Sequence, residues 1–280
     1  MASIYNVSVW LWRIKRIVIS PINAIRFLDE NVSADFEGKF RYSGGRFICR
    51  KQDWFGIMEI FLNNEYGPAL DYINSPGEPS IIDLGANIGG FALFMFENYP
   101  KARIVSVEAA PDTFRVLERN QEMNAQRNWD VLQAAVWTEN GVVNLDRRQA
   151  STGHRIAENG SDGESITARR LDDILKERGI DNIDLMKMDI EGAEGDIVPG
   201  SEAVFEKTKV LVIEIHTDRI DPSSVYKTLN KCFSHCWMVT GRNVQKPVFI
   251  LAHEDTSVSG TVPVNLSDRI DLLEKERGGK

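Results

Sequence analysis

The segment LMKMDIEGAE (185–194) sets Lys187, Asp189 and Glu191 two residues apart, and VLVIEIH (210–216) does the same with Glu214 and His216. Both stretches begin apolar enough to be strands, where side chains alternate between the two faces. Lys187, Asp189 and Glu191 then share one side of their strand and its exit, with Met186, Met188 and Ile190 on the other. Glu214 and His216 share a side of theirs. Carboxylates with an imidazole serve two chemistries. One takes the proton of an attacking hydroxyl, and His216 suits that role because its unperturbed pKa is about 6.5. The other holds a divalent cation that orients and acidifies the hydroxyl. Lys187 also has a structural reading, an ion pair with Glu214 or Asp189 between strands. Glu191 and Glu194 fall where a helix N-terminus favours negative charge, and Glu194 is assigned to that role alone.

A second pair of acids stands earlier in the chain. In IIDLGANIGGFA (81–92) Asp83 closes an apolar run, and glycines follow at once. Gly85 and Gly89 permit a tight turn and close backbone approach. The pattern is D-x-G-A-N-x-G. A dinucleotide site wants G-x-G-x-x-G, so a nicotinamide dehydrogenase is disfavoured. An acid before the first glycine suits a cationic amine or hydroxyls better than a phosphate. Glu108 closes the next strand, in VSVEAAP. That position reads ribose hydroxyls in an open α/β sheet, because a carboxylate accepts two hydrogen bonds from a diol. A positively charged nucleoside without phosphate fits both acids, and S-adenosylmethionine is such a ligand. Capping of a helix accounts for Asp83 alone but not for Glu108 at the matching place.

The elements that must position these residues are legible as alternation. Strands are expected at 81–84, 102–109, 130–137, 183–190 and 209–216, with helices at 89–99, 111–124, 171–179, 193–207 and 222–233. Two weaker strands follow at 236–240 and 247–252. Residues 38–66 read as a β-rich stretch and then a helix. Asn140-Gly141 predicts a hairpin in which 142–146 pairs back on 130–137. Residues 147–170, with Ser151, His154 and Ser165, read as a polar loop or lid. Such alternation argues an α/β fold, a mostly parallel sheet with helices on both faces and an antiparallel C-terminal pair. The domain boundaries expected are an N-terminal helical extension over 1–37, a domain over 38–253 with its core at 78–253, and a loosely held polar tail over 254–280.

The bulk numbers are those of a globular protein. The chain has 280 residues, 42% apolar and 26% charged, and a net charge of −8. An acidic balance disfavours nucleic-acid binding, which needs Lys and Arg against phosphates. Three cysteines, Cys49, Cys232 and Cys236, point to free thiols in a reducing, cytoplasmic setting. Cys232 and Cys236 flank His235 without the second ligand pair of a zinc site. The N-terminal VWLWRIKRIVIS (9–20) is broken by Arg13, Lys15 and Arg16, too short for a span. As a helix it would align Leu11, Ile14, Val18, Ile22 and Ile25. Packing on the domain or a partner subunit is favoured there over contact with a membrane surface.

With these residues in view, the chain resembles the class I S-adenosylmethionine-dependent methyltransferases, and more narrowly the FkbM family. The resemblance rests on 81–92, on SVEAAPDTFRVLERN (106–120) and above all on D-x-E-G-A-E with E-x-H, and covers roughly 40–240. It implies a seven-stranded Rossmann-like domain that transfers a methyl group, usually to a hydroxyl oxygen of a sugar, glycan or small secondary metabolite. Carried over by position, Asp83, Gly85, Ala86, Asn87 and Gly89 form the cofactor loop. Glu108 binds the ribose, Ala109 belongs to the same cofactor set, and Ala134 and Ala135 line the adenine pocket. In the resembled fold the strands of the first-quoted segments are neighbours beside the transferable methyl. Asp189, Glu191, Glu214 and His216 are thus the catalytic candidates, and Asp189 also belongs with the cofactor set. No residue is assigned to a metal, although a divalent cation stays open. Competing readings are a non-catalytic cofactor-binding scaffold and a nucleic-acid methyltransferase. The second is disfavoured because Asp189-Ile-Glu-Gly stands where N/D-P-P-Y/F would be expected.

Overall fold

A computed structural model of the protein describes residues 18–19, 26–27, 29–73, 77–146, 155–156, 163–240, 246–254 and 260–278. The expected contributions of Leu11, Ile14, Ile22, Ile25, Ser151 and His154 lie outside the described residues.

The large sheet is built from β4 (Ser80–Leu84), β5 (Arg103–Glu108), β6 (Asn128–Gln133), β11 (Ile183–Met188), β12 (Thr208–Glu214), β13 (His235–Val239), β14 (Val248–Ala252) and β15 (Thr261–Pro263). Their spatial order is β15-β13-β14-β12-β11-β4-β5-β6. The first five of these strands in sequence are parallel, and the pairings β12–β14, β14–β13 and β13–β15 are antiparallel. The predicted sheet was seven-stranded. The eighth, β15, comes from the segment expected to be a loose tail. After it, helix α4 (Leu266–Gly278) buries Leu266 in the core. Val262 pairs with Met238, so backbone pairing on an exposed edge gives order to a polar stretch that hydropathy alone assigns to solvent.

The apolar strands divide their residues between two cores. Ile81, Leu185, Val210 and Ile250 face one side, and Ile82, Met186, Leu211 and Leu251 face the other. Register locks the alternation, with Leu185 opposite Ile81 and Met186 opposite Ile82. By the same period, Asp83, Lys187 and Glu214 belong to the face of Ile81, Leu185 and Val210. On that face lie helix α1 (Trp54–Phe61), helix α2 (Gly90–Asn98) and a hairpin of β2 (Glu37–Tyr42) with β3 (Gly45–Arg50). Every residue of α2 from Gly90 to Phe96 is buried, as expected of a helix apolar all round. The hairpin closes its outer side, because a Cβ at Gly44 would meet the Leu93 carbonyl oxygen at 1.9 Å. Helix α3 (Pro111–Glu122) fastens the same hairpin, with Asn120 accepting from the Ile48 N–H and donating to the Ile48 and Ile88 carbonyls.

Two local expectations are corrected. Val18–Ile19 form β1, paired with Phe40–Arg41, where a helical face was expected; β-branched residues suit the free edge of the hairpin. The Asn140-Gly141 hairpin does not form. β7 (Ala135–Val136) and β8 (Gly141–Asp146) are separated by β10 (Glu164–Arg169), in a four-stranded sheet ordered β7-β10-β8-β9, where β9 is Arg155–Ile156. Ile166 inserts with Ala135 and Leu145 into a small core of their own, which a direct β7–β8 pair would leave unfilled. Ser165, read as part of a lid, instead donates across this sheet to Asn144.

Among the described residues, no helix is long and apolar enough to cross a membrane. The three cysteines are free.

Candidate active site

The chain runs outward from β4 to β5 and β6, then returns to the other side of β4 with β11 and β12. The order therefore reverses between β4 and β11, where open α/β sheets bind ligands beyond the carboxyl ends of their strands. A cavity of about 440 Å3 lies there, a size usual for small-molecule sites.

Gly85 begins the loop over this cavity with φ +74°, and a Cβ there would lie 1.7 Å from the Asp189 carbonyl oxygen. The Gly85 and Ala86 N–H groups both donate to the Val107 carbonyl at 3.0 Å. Asn87 holds φ +49°, and its N–H donates to Glu108 Oε2 at 2.9 Å. The other Glu108 oxygen accepts from the Ala110 N–H, also at 2.9 Å. Each carboxylate oxygen thus keeps a lone pair for a ligand hydroxyl. Burial nevertheless pushes the Glu108 carboxyl up to about 7. Gly85→Ala is expected to destabilise the chain by about 2–5 kcal/mol, from overpacking plus left-handed backbone strain. Urea denaturation measures this, and a loss within error of zero would contradict the close approach.

Cavity-lining residues include Gly85, Ala86, Asn87, Glu108, Ala109, Ala134 and Ala135, and likewise Asp189, Glu191 and Glu214. Asp83, Gly89 and His216 are not among them. Gly89, at φ +92°, packs instead against Trp129 and Leu117. Asp83 is fully buried and meets a cation from its own chain. Lys187 stands opposite it in register, with Nζ 3.4 Å from Asp83 Oδ1 and 3.8 Å from Asp189 Oδ2. The ammonium also donates to the Gly85 carbonyl at 2.6 Å. Ser106 donates to Asp83, and Trp129 donates to Ser106. Burial raises the Asp83 pKa against these partners; burial lowers that of Lys187, but Asp83 and Asp189 outweigh it and leave it raised. This network fixes the loop from below, and the cation that Asp83 meets in it is Lys187.

His216 follows β12 and is fully buried. Its Nδ1 lies 3.2 Å from Glu194 Oε1. Its Nε2 lies 3.2 Å from Glu191 Oε2, 3.5 Å from Glu214 Oε1 and 3.8 Å from Asp189 Oδ1. Burial lowers its pKa, but Glu191, Glu194 and Asp189 outweigh that and raise it to about 10. The ring is walled off from the cavity, whereas the general-base reading needs it within reach of an acceptor hydroxyl. Glu191 has φ +58°, a left-handed conformation rare outside glycine and found where a site stores strain. Arg219 holds it there through both the Glu191 carbonyl, at 3.1 Å, and its carboxylate, at 2.5 Å. Lys246 adds a further cation 3.8 Å away. Asp189 is left as the open carboxylate, just past β11, with its N–H on the Leu84 carbonyl.

Three contributors escape the sequence reading. Glu194, assigned to helix charge alone, is fully buried; it accepts from the Ile190 and Gly192 N–H groups and faces His216. Its spacing from Glu191 in IEGAE was the signal available. Arg219 sits in a turn with no pattern. The third is a whole wall, from Phe55, Glu59 and Ile60 of α1 to Glu65 and Tyr66. Those residues lie more than 100 positions before Asp189, and only the fold brings them to it.

A family model, the methyltransferase FkbM domain, matches residues 83–234, more than half of the chain. The chain belongs to the FkbM methyltransferase family. Methyltransferase sdnD of Sordaria araneosa is 30% identical over 201 residues, covering 60% of this chain and 76% of that one. The 2-O-methyltransferase NoeI of Sinorhizobium fredii is 28% identical over 155 residues, 49% of this chain and 63% of that one. The 31-O-demethyl-FK506 methyltransferase FkbM of Streptomyces tacrolimicus is 29% identical over 174 residues, 50% of this chain and 66% of that one. The FkbM domain match begins at Asp83 and takes in the glycine loop, Glu108 and all the carboxylates around His216. As a member of this family the chain is an S-adenosylmethionine-dependent methyltransferase.

Proposed function

We propose that the chain moves the methyl group of S-adenosylmethionine to a hydroxyl oxygen of a sugar, a glycan or a small secondary metabolite. The observation that carries the reading is one cavity lined both by the Glu108 carboxylate and by the open carboxylate of Asp189. Glu108 accepts hydrogen bonds from the ribose diol. Gly85, Ala86 and Asn87 bring bare backbone close to the nucleoside, and Ala109, Ala134 and Ala135 give a small-residue wall for the base. When bound, the cofactor supplies an electrophilic methyl on a sulfonium. The protein's part is to align the acceptor oxygen in line with it and to remove the hydroxyl proton. Asp189 is positioned for that proton, because its side chain lines the cavity and is 27% exposed, although its Oδ1 is turned inward toward His216.

The acceptor class draws on two supports. Glu59, Asn63 and Glu65 on the cavity wall are hydrogen-bond acceptors of the kind polyols use, and Phe55 offers an exposed ring near them. NoeI and FkbM carry O-methyl transfer in their names, and a further relative is a hexuronic acid methyltransferase of Haloferax volcanii. The test is transfer of isotope-labelled methyl to a panel of sugars, oligosaccharides and hydroxylated polyketides, with the methyl located by NMR. A new O-methyl resonance that requires the chain supports the proposal. Label found on nitrogen or carbon contradicts it.

A further inference from the structure

We infer that Asp189, Glu214 and His216 form a site for one divalent cation beside the methyl-transfer cavity. Their ligand atoms lie within 4.8 Å of one another. His216 Nε2 stands 3.5 Å from Glu214 Oε1 and 3.8 Å from Asp189 Oδ1. For an ion bound at about 2.1 Å in an octahedral shell, neighbouring ligands are about 3 Å apart and opposite ligands about 4.2 Å apart. With His216 and Glu214 as neighbours and Asp189 beside or opposite the ring, the two His216 spacings need shifts of about 0.4–0.8 Å to meet that geometry.

The second observation is His216 itself. It is fully buried, and neither its Nε2 nor Asp189 Oδ1 has a hydrogen-bond partner among the described residues. Glu191 Oε2 lies 3.2 Å from Nε2, one more acceptor facing the ring. On the far side of the ring, Glu194 faces Nδ1 at 3.2 Å and is itself fixed by the Ile190 and Gly192 N–H groups at 3.0 and 2.9 Å. A carboxylate on one ring nitrogen orients the other toward a metal, the arrangement seen where histidine is a ligand. With the Nδ1 proton given to Glu194, Nε2 faces only carboxylate oxygens, so it carries either the ring's second proton or a metal ion that takes that proton's place. Glu191 does not compete, because Arg219 and Lys246 already neutralise it. A mixed carboxylate and imidazole set suits ions such as Mn2+, Mg2+ or Zn2+.

A cation there lowers the pKa of an acceptor hydroxyl that reaches it and fixes that oxygen next to Asp189. This use rests on the proposed function, whereas the binding itself does not. The experiment strips the full-length chain with chelator and titrates it with Mn2+, counting free ion by electron paramagnetic resonance. One saturable site per chain is expected, with nitrogen modulation in the spin-echo spectrum from the His216 imidazole. Asp189→Asn and Glu214→Gln each weaken it at least tenfold, while Glu122→Gln on an exposed face of α3 leaves it unchanged. Circular dichroism and thermal melts confirm that each variant is folded. Absence of a saturable site in the folded parent chain, or equal affinity in all variants, overturns the inference. Calorimetry with S-adenosylmethionine separates the two ideas. A chain that binds the nucleoside but no Mn2+ loses only the cation site, and one that binds Mn2+ but not the nucleoside loses the proposed function.

Discussion

Asp189→Asn lowers kcat by about two to four orders of magnitude, the usual worth of a positioned proton acceptor, and moves S-adenosylmethionine affinity by less than about threefold. The geometry separates these effects. Asp189 reaches the cavity from the exit of β11, while the nucleoside contacts come from the loops after β4, β5 and β6. Asparagine keeps the shape and gives up its charge toward Lys187 and His216, each at 3.8 Å, so the fold should survive. Single-turnover kinetics with a labelled donor measure the chemical step directly. Unchanged turnover in a folded Asp189→Asn chain would remove Asp189 from the chemistry. His216→Gln gives the contrasting case. It acts on the carboxylate cluster from behind the cavity wall, so it disturbs Asp189 and Glu214 without touching substrate.

Glu108→Gln weakens S-adenosylmethionine binding about 30-fold, near 2 kcal/mol, because the charge-assisted hydrogen bonds to the ribose become ordinary ones. Its pH signature is more specific. Burial pushes the Glu108 carboxyl up to about 7, above its ordinary value. In the ligand-free chain, a raised acid pKa means that stability from this group is present below its ordinary pKa and is lost as pH rises through about 7. Binding runs the other way, since the diol needs the ionised form. Affinity should therefore rise about tenfold between pH 6 and pH 8, as the ionised fraction grows from about a tenth to about nine tenths. The Glu108→Gln variant loses both slopes. Calorimetry and thermal melts across that range check them, and a parent chain whose affinity is flat from pH 6 to 8 would contradict the assignment.

Much of this arrangement is legible before any coordinates. The strand β4, its glycine turn and the acid at the end of β5 follow from period-two apolarity and from the need for positive φ at Gly85. Alternation also places Asp189 and Glu214 at adjacent strand exits. The sequence is less informative where a charge has two candidate partners. Asp83 sits where a ligand would lie, but in-register pairing of β4 with β11 delivers Lys187 to it first. Pairing register is a property of the folded sheet and leaves no mark in either segment alone. Glu194 was lost for a related reason, because a first-turn acid is explained well enough by helix charge that its burial against His216 goes unsuspected. The β7–β10–β8 order was hidden by the Asn140-Gly141 dipeptide, a true turn signal whose flanking strands find a better apolar partner in Ile166. The wall from α1 to Tyr66 illustrates the remaining limit. Its residues carry chemistry only by proximity, and proximity across the chain is set by packing of α1 on α2, where a Cβ at Gly90 would meet Ile57 and Ile60.

The central claim is that the cavity above β4 and β11 holds S-adenosylmethionine, with Glu108 reading its ribose. Calorimetric titration of the full chain with S-adenosylmethionine, in parallel with NADH and ATP, tests it most directly. Saturable one-to-one binding of the first alone, weakened in Glu108→Gln, is the predicted result. Binding of NADH or ATP in its place, or of none of the three, would contradict the account.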